Sequence, residues 1–343
     1  MKKLLNTLYI TQPDIYLALD GETIAARKDN EVLMRIPLHN LEGVVAFGYA
    51  GASPALMGAC ADRGIALTFL TMNGRFLANI VGIERGNVLL RKTQYRTSDD
   101  EEKSLVIARN MLIGKLHNSR WVLERATRDH ALKLNVEKVK MAAHMIADST
   151  QLIRQAESLN SLRGVEGEVA VRYFSAFNEL ILQNKKDFIF EGRNRRPPLD
   201  NVNALLSFIY TLLSHDASAA LSSVGLDPFV GFLHRDRPGR RSLALDLMEE
   251  FRSPLADRFV LTLINNKQVE PSGFVHKENG AVIMKDETRR TVLAAWQERK
   301  RDQITHPFLK EKIPWGLVVH SQALLLARHL RGDLDEYPPF LWK

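Results

Sequence analysis

The chain is 343 residues long, enough to bury a sizeable core and to divide into two. Hydrophobic residues make up 45% and charged residues 25%, the balance of a globular protein rather than a disordered or fibrous one. A net charge of +7 admits a nucleic-acid partner without requiring one, and a single cysteine, Cys60, excludes an intrachain disulfide and a thiolate zinc site.

One unpaired cysteine fits a reducing, cytoplasmic setting, and Cys60 among Gly58, Ala59 and Ala61 reads as a small packing residue. Asn6, Thr7, Gln12 and Asp14 break up the N-terminal apolar residues too early for a signal sequence. The most apolar helix candidate, Val202 to Leu213, is short and punctuated by Asn203 and Ser207, so no membrane span is expected.

Residues 1–90 read as β. Short runs of β-formers occur at Leu8–Ile10, Ile15–Leu19, Thr23–Arg27, Val32–Ile36 and Val44–Phe47, with turn chemistry at Asp20-Gly21 and Lys28-Asp29-Asn30. Ser53-Pro54 is an N-cap followed by proline at the first helical position, opening a short helix that ends near Gly64. Ile65–Leu70 returns to strand, and Asn73-Gly74 signals a hairpin before Phe76–Val81. No ligand-spaced His, Asp and Glu cluster occurs in this half, so it reads as a scaffold and a candidate dimerisation surface. Residues 91–100, with Arg91, Lys92, Tyr95 and Arg96, read as a solvated linker in preference to a DNA contact.

From residue 101 helices dominate. Ser98-Asp99-Asp100-Glu101 supplies capping side chains, and Leu105, Ile107, Ala108, Met111, Leu112, Leu116, Val122 and Leu123 form an apolar stripe. A second helix covers Val136 to Leu159. In Leu162-Arg163-Gly164-Val165-Glu166-Gly167, a glutamate stands between two glycines at a helix start. Taken alone, Glu166 reads as a surface or capping acid; with His234 and Glu249 it becomes a candidate metal ligand.

Residues 185–200 form a loop holding a basic cluster, Arg193, Arg195 and Arg196, and Asp200 caps the next helix. Asn203 on that helix is either a partner of a site residue or a satisfied buried amide, and His215 is given no role. Gly225 is a left-handed helix cap. Between Gly225 and Arg252 lies the densest chemistry in the chain. His234 sits in a loop rich in Gly, Pro and Arg, and the helix beginning eight residues later carries Asp246 and Glu249, three positions apart and so on one face. Imidazole and carboxylate donors suit Mg2+ or Mn2+, and Arg235, Arg237, Arg240 and Arg241 match phosphate oxygens. A cation site edged by arginine is what phosphodiester chemistry needs. Beyond it, a helix follows Pro254, a hairpin surrounds Asn279-Gly280, Thr288–Arg301 is amphipathic, Trp315–Leu330 is the last helix, and Asp333–Lys343 reads as a loose tail or a partner-docking segment.

Three segments together resemble the CRISPR-associated integrase of spacer acquisition, also described as an endonuclease. They are Gly164 to Ala170 with Tyr173-Phe174, Asn194 to Asp200 with Asn203 to Phe208, and Gly225 to Pro228 continuing through His234 to Glu249. The resemblance implies an α+β fold: an N-terminal β-strand-rich domain (1–90), a linker (91–100) and a larger α-helical, metal-dependent catalytic domain (101–343). It implies metal binding by Glu166, His234 and Glu249, with Asp246 as the adjacent catalytic acid; many family members carry aspartate where this chain has Glu249. It further implies a homodimer, a small dimeric second CRISPR adaptation protein as partner, and double-stranded DNA as substrate, joined by attack of a 3′-hydroxyl on a phosphodiester of the repeat. Two other readings stand beside it: a metal-dependent nuclease or phosphohydrolase acting on other nucleic acids, and a non-catalytic DNA-binding dimer whose acids are helix-face charges.

Overall fold

The computed structural model describes residues 7–29, 31–41, 43–72, 76–80 and 88–343. The chain divides into two compact units, residues 1–86 with Leu293–Arg301, and residues 87–292 with 302–343. A strand-rich front and a larger helical rear match the α+β expectation.

In the first unit, strands β1 (Thr7–Ile10), β2 (Tyr16–Asp20), β3 (Thr23–Lys28), β4 (Glu31–Pro37) and β5 (Gly43–Phe47) are followed by helix α1 (Pro54–Arg63), β6 (Ala66–Leu70) and β7 (Phe76–Ile80). β2, β3 and β4 form an antiparallel meander. The other sheet has the order β1-β5-β6-β7, with β1, β5 and β6 parallel and β7 antiparallel to β6. Ser53 caps α1 by accepting the Leu56 amide at 3.2 Å, Pro54 begins it, and Gly64 ends it at φ +68°. Leu17 and Ile24 of one sheet, Val44 and Leu67 of the other, and Leu56 and Cys60 of α1 share one apolar core. Burial there pushes the Cys60 thiol up to about 11, which suits an inert packing residue. The Asn73-Gly74 turn lies outside the described residues.

The second unit opens with α2 (Val88–Asp99), so the stretch expected as a linker is helical. Gln94 is fully buried and Leu90 nearly so, which makes one face of α2 a packing surface. α3 (Glu101–Asp129) is capped by Asp100, α4 (Val136–Gln155) by Asn135, and α5 (Leu159–Phe177) by Ser158. Glu166 therefore lies inside a helix rather than at its start. Gly164 and Gly167 have open space where a Cβ would project, so they keep the helix surface beside Glu166 clear. α6 (Asn201–Ser223) is capped by Asp200, whose Oδ1 accepts the Asn203 amide at 2.7 Å, and Gly225 follows it at φ +88°. At 23 residues α6 outruns the expected Val202–Leu213; by length and composition it could cross a membrane, yet 61% of its apolar window is buried in the fold, as in a core helix.

α7 (Ser242–Phe251) runs into a π-helical segment, Arg252–Asp257, and then α8 (Arg258–Asn265). Pro254 lies inside the π turn; it has no N–H to give to the helical ladder. The rest comprises the hairpin β8 (Phe274–His276) and β9 (Val282–Met284), α9 (Asp286–Arg301), the hairpin β10 (Gln303–Thr305) and β11 (Lys312–Pro314), and α10 (Trp315–Leu330). The C-terminal tail is not loose. Tyr337, Phe340 and Trp342 are buried, and Asn118 of α3 clamps the chain by donating to the Phe340 carbonyl at 2.8 Å and accepting the Trp342 amide at 2.8 Å.

Candidate active site

Four elements of the second unit supply the site: α3, α5, α7 and the loop between α6 and α7. α2 braces that loop. Gln94 donates to the carbonyls of Asp227 and Val230 at 2.8 and 2.9 Å and accepts the Asp227 amide at 2.9 Å, while the Tyr95 hydroxyl donates to Asp227 Oδ2 at 2.9 Å. The segment read as a linker or DNA contact is thus the brace of the histidine loop.

The loop then closes onto Asp246. Its Oδ2 accepts the amides of Phe232 and Leu233 at 2.7 and 2.9 Å, and its Oδ1 accepts the His234 amide at 2.9 Å. His234 Nδ1 lies 2.5 Å from the same Oδ1. This approach is open only to glycine at 231, where a Cβ would come within 2.7 Å of Asp246 Oδ2 and 2.8 Å of Ser242 Cβ. Four donors saturate the carboxylate, and the side chain is fully buried. Asp246, expected as a catalytic acid beside Glu249, lies against the imidazole Nδ1, which turns Nε2 away from the carboxylate.

Glu249, three residues on, meets different groups. Its Oε1 pairs with Arg252 at 2.9 Å, and its Oε2 lies 2.8 Å from the Lys115 ammonium of α3. The same ammonium pairs with Glu166 of α5. Burial alone would raise the Glu249 carboxyl, but Arg252, Lys115 and His234 outweigh it and bring it down to about 2. Burial disfavours the charged form of Lys115, yet Glu249 and Glu166 hold its pKa above the ordinary lysine value. Glu249 is 2% exposed, whereas the side chains of Glu166 and His234 are 28% and 21% exposed, so these two form the open edge of the site. Arg252 also lies over the Tyr210 ring, 5.1 Å from its centroid, and the Tyr210 hydroxyl donates to Asp257 at 2.6 Å.

Among the described residues, no group of three or more His, Cys, Asp or Glu side chains is arranged to hold a metal ion. The cation between the carboxylates is Lys115. The donor chemistry nonetheless fits Mg2+ or Mn2+: two carboxylates converge on the Lys115 ammonium, beside a histidine whose Nδ1 is held by Asp246. Glu249 Oε2 is buried, with the Lys115 ammonium 2.8 Å away. A divalent ion held there would claim the two carboxylates that Lys115 now occupies.

The predicted arginines separate into two sets. Arg235, Arg237, Arg195 and Arg196 are exposed and Arg240 is half-buried. Burial lowers the Arg240 pKa, and Arg237, Arg195 and Arg196 push it down further, as expected of like charges gathered on one surface. Arg193 and Arg241 point inward instead. Arg193 donates to Asn203 at 2.6 Å and Ser207 at 3.1 Å and lies over the Tyr210 ring. Arg241 meets His215 Nδ1 at 3.1 Å and lies over Phe229. Loop, helix and ring atoms already meet both forks. Asn203 is a satisfied amide: it accepts from Arg193 and Asn194 and donates to Gly192 and Asp200.

The sequence profile described as CRISPR associated protein Cas1 matches residues 8–298. The chain belongs to this family. It is 51% identical over 343 residues to CRISPR-associated endonuclease Cas1 1 of Chlorobaculum tepidum, covering the whole of both chains. Among solved structures, a casposase bound to integration product aligns with a TM-score of 0.82 at 24% identity, over 99% of this chain and 93% of that one. A Cas6-RT-Cas1–Cas2 complex aligns with a TM-score of 0.83 at 23% identity, over all of this chain and 36% of that one. At these identities the structural likenesses establish the shared fold.

Within this Cas1-family site, sequence reasoning missed Lys115 and Arg252. Lys115 carries a readable signal, since it falls on the apolar stripe of α3 between Met111 and Ser119, where an unpaired charge is costly. Arg252 is one helical turn past Glu249 and pairs with it at i,i+3. Arg163 was also passed over; it donates to the Leu233 carbonyl at 2.7 Å and so holds the histidine loop to α5.

Proposed function

We propose that this chain is a metal-dependent DNA endonuclease and integrase that inserts short DNA fragments as spacers into a CRISPR array. The observation that carries the reading is the convergence of Glu166 and Glu249 on one cation, beside a histidine presented by Asp246. Glu166, His234 Nε2 and Glu249 would hold Mg2+ or Mn2+. When bound, the ion would lower the pKa of an attacking hydroxyl and offset charge on the phosphoryl oxygens.

The protein's own residues position the reactants. A 3′-hydroxyl of the incoming fragment attacks a phosphodiester of the repeat: it loses its proton as the new P–O bond forms, the bond to the repeat strand's own 3′-oxygen breaks, and that oxygen leaves as a 3′-hydroxyl on taking up a proton. With water in place of that hydroxyl, the same geometry hydrolyses the strand. Arg235, Arg237, Arg240, Arg195 and Arg196 give phosphate oxygens a surface to bind; such contacts set DNA in register without reading its sequence. Asp246 keeps the imidazole from rotating, and Glu166 and His234 at the open edge leave room for a strand.

The names of the relatives support this reading: an endonuclease, a casposase bound to integration product and a complex that contains Cas2. A homodimer that meets the small second adaptation protein in the cytoplasm follows from it. β4 supports the dimer, as an edge strand of its sheet with Leu33 and Met34 exposed at 55% and 47%.

The test is strand joining with a short duplex, a repeat-bearing target and Mn2+ or Mg2+. Joining should require the metal and should be lost in His234→Ala. Joining that survives His234→Ala would overturn the site assignment.

A further inference from the structure

Lys115 is 7% exposed, and its ammonium contacts the same two carboxylates that a divalent ion would need. Both cations cannot occupy that point, because like charges at contact distance repel strongly in a buried setting. Charge balance at Glu249 does not rest on Lys115 alone, since Arg252 holds the other oxygen at 2.9 Å. Glu249 Oε2 and Glu166 meet the one ammonium, at 2.8 Å from Oε2, so a divalent ion would have to take that same point.

We propose that Lys115 is a tethered cation that holds the Glu166–Glu249 position in the metal-free protein and competes with the incoming divalent ion for it. The inference rests on the metal-dependent reading above. Lysine suits such a role because its charge is a compact point at the end of a flexible four-carbon arm, so it can withdraw while α3 stays in place. Its presence spares the apo protein a pair of uncompensated carboxylates. The ion must displace it, so the apparent metal affinity is lower than the bare ligands would give.

The experiment is a Mn2+ titration of the full chain by calorimetry, with the Mn2+-induced melting shift as a second readout. The wild type is compared with Lys115→Met, Lys115→Arg and Glu249→Gln. Lys115→Met should bind Mn2+ about tenfold more tightly or better and show a larger melting shift. Lys115→Arg keeps a cation in place and should bind no more tightly than wild type. Equal or weaker binding by Lys115→Met overturns the tethered-cation role; if wild-type binding is then still lost in Glu249→Gln, the metal site itself stands. Saturable binding by neither wild type nor Lys115→Met overturns both. If Lys115→Met melts too low to titrate, Lys115→Gln is read by the same two measurements against the same outcomes.

Discussion

Replacing Asp246 by asparagine keeps the volume of the side chain and changes which donors it can serve. In the wild type, Oδ2 faces the Phe232 and Leu233 amides, and Oδ1 faces the His234 amide and Nδ1. Asparagine has one oxygen. With that oxygen toward Phe232 and Leu233, its NH2 faces two donors, the His234 amide and the Nδ1 proton. The amide is left unpaired, which costs about 1–3 kcal/mol in a buried position. The imidazole can answer by moving its proton to Nε2, so that Nδ1 accepts from the new NH2. Nε2 then carries hydrogen where a ligand lone pair is required. In the opposite orientation two amides lose their partner, so that arrangement is the costlier one. The expected outcome is a urea-unfolding stability lower by about 1–3 kcal/mol and a Mn2+ affinity lower by about 10–100-fold, with strand joining reduced at least as much. A variant that unfolds at the wild-type midpoint and binds Mn2+ normally would refute the positioning role of Asp246. Lost stability with intact metal affinity would refute the tautomer argument alone.

Glu250 gives a pH prediction: burial pushes its carboxyl up to about 8 against the hydrogen bonds from Tyr337, Gln322 and the Phe340 amide. Below the unfolded value near 4.5 the group is protonated in both states; as pH rises toward 8 only the unfolded state gives up its proton, so this contribution to stability is lost at up to about 1.4 kcal/mol per pH unit and levels off above 8. Glu250→Gln should flatten the fall of the urea midpoint between pH 5 and 8, and an unchanged slope would count against a neutral Glu250. The double change Arg235→Ala with Arg237→Ala should weaken binding to unrelated duplexes equally and reduce the slope of log affinity against log salt by about 2; a loss confined to one sequence would contradict phosphate contact. Leu33→Asp with Met34→Asp should turn a dimer into a monomer by light scattering, and a dimer that persists would move the interface away from β4.

Much of the front half was legible because its signals are local. Runs of β-formers, the Asp20-Gly21 turn and the Ser53-Pro54 to Gly64 caps fix elements one at a time, and these appear close to where those residues place them. The parallel pairing of β1 with β5, and of β5 with β6, was not legible, since register between distant strands leaves no mark on either one. α4 begins at Val136 as read, but it ends at Gln155, because Ser158 caps a new helix, α5, where the expected one ran on to Leu159. The loose-tail alternative for Asp333–Lys343 failed for a related reason. Pro338 and Pro339 suggest a chain without regular structure, which it is, but irregular backbone can still bury Tyr337, Phe340 and Trp342 when Asn118 and Glu250 satisfy its amides and carbonyls.

The i,i+3 spacing put Asp246 and Glu249 on one side of α7, but it does not say which groups each one meets. Nearly all of α7 is buried, so sharing a face says little about sharing a ligand. Donor supply is what separates the two acids. Asp246 lies against a loop whose backbone offers three amides and an imidazole, and with every oxygen used it can only orient what holds it. Glu249 faces two charged side chains instead, Arg252 on Oε1 and the Lys115 ammonium 2.8 Å from Oε2. An acid in a motif is therefore assigned by counting the donors already spent on it. Those donors come from Gly231-bounded backbone and from a lysine on another helix, neither of which the spacing of acids within α7 encodes.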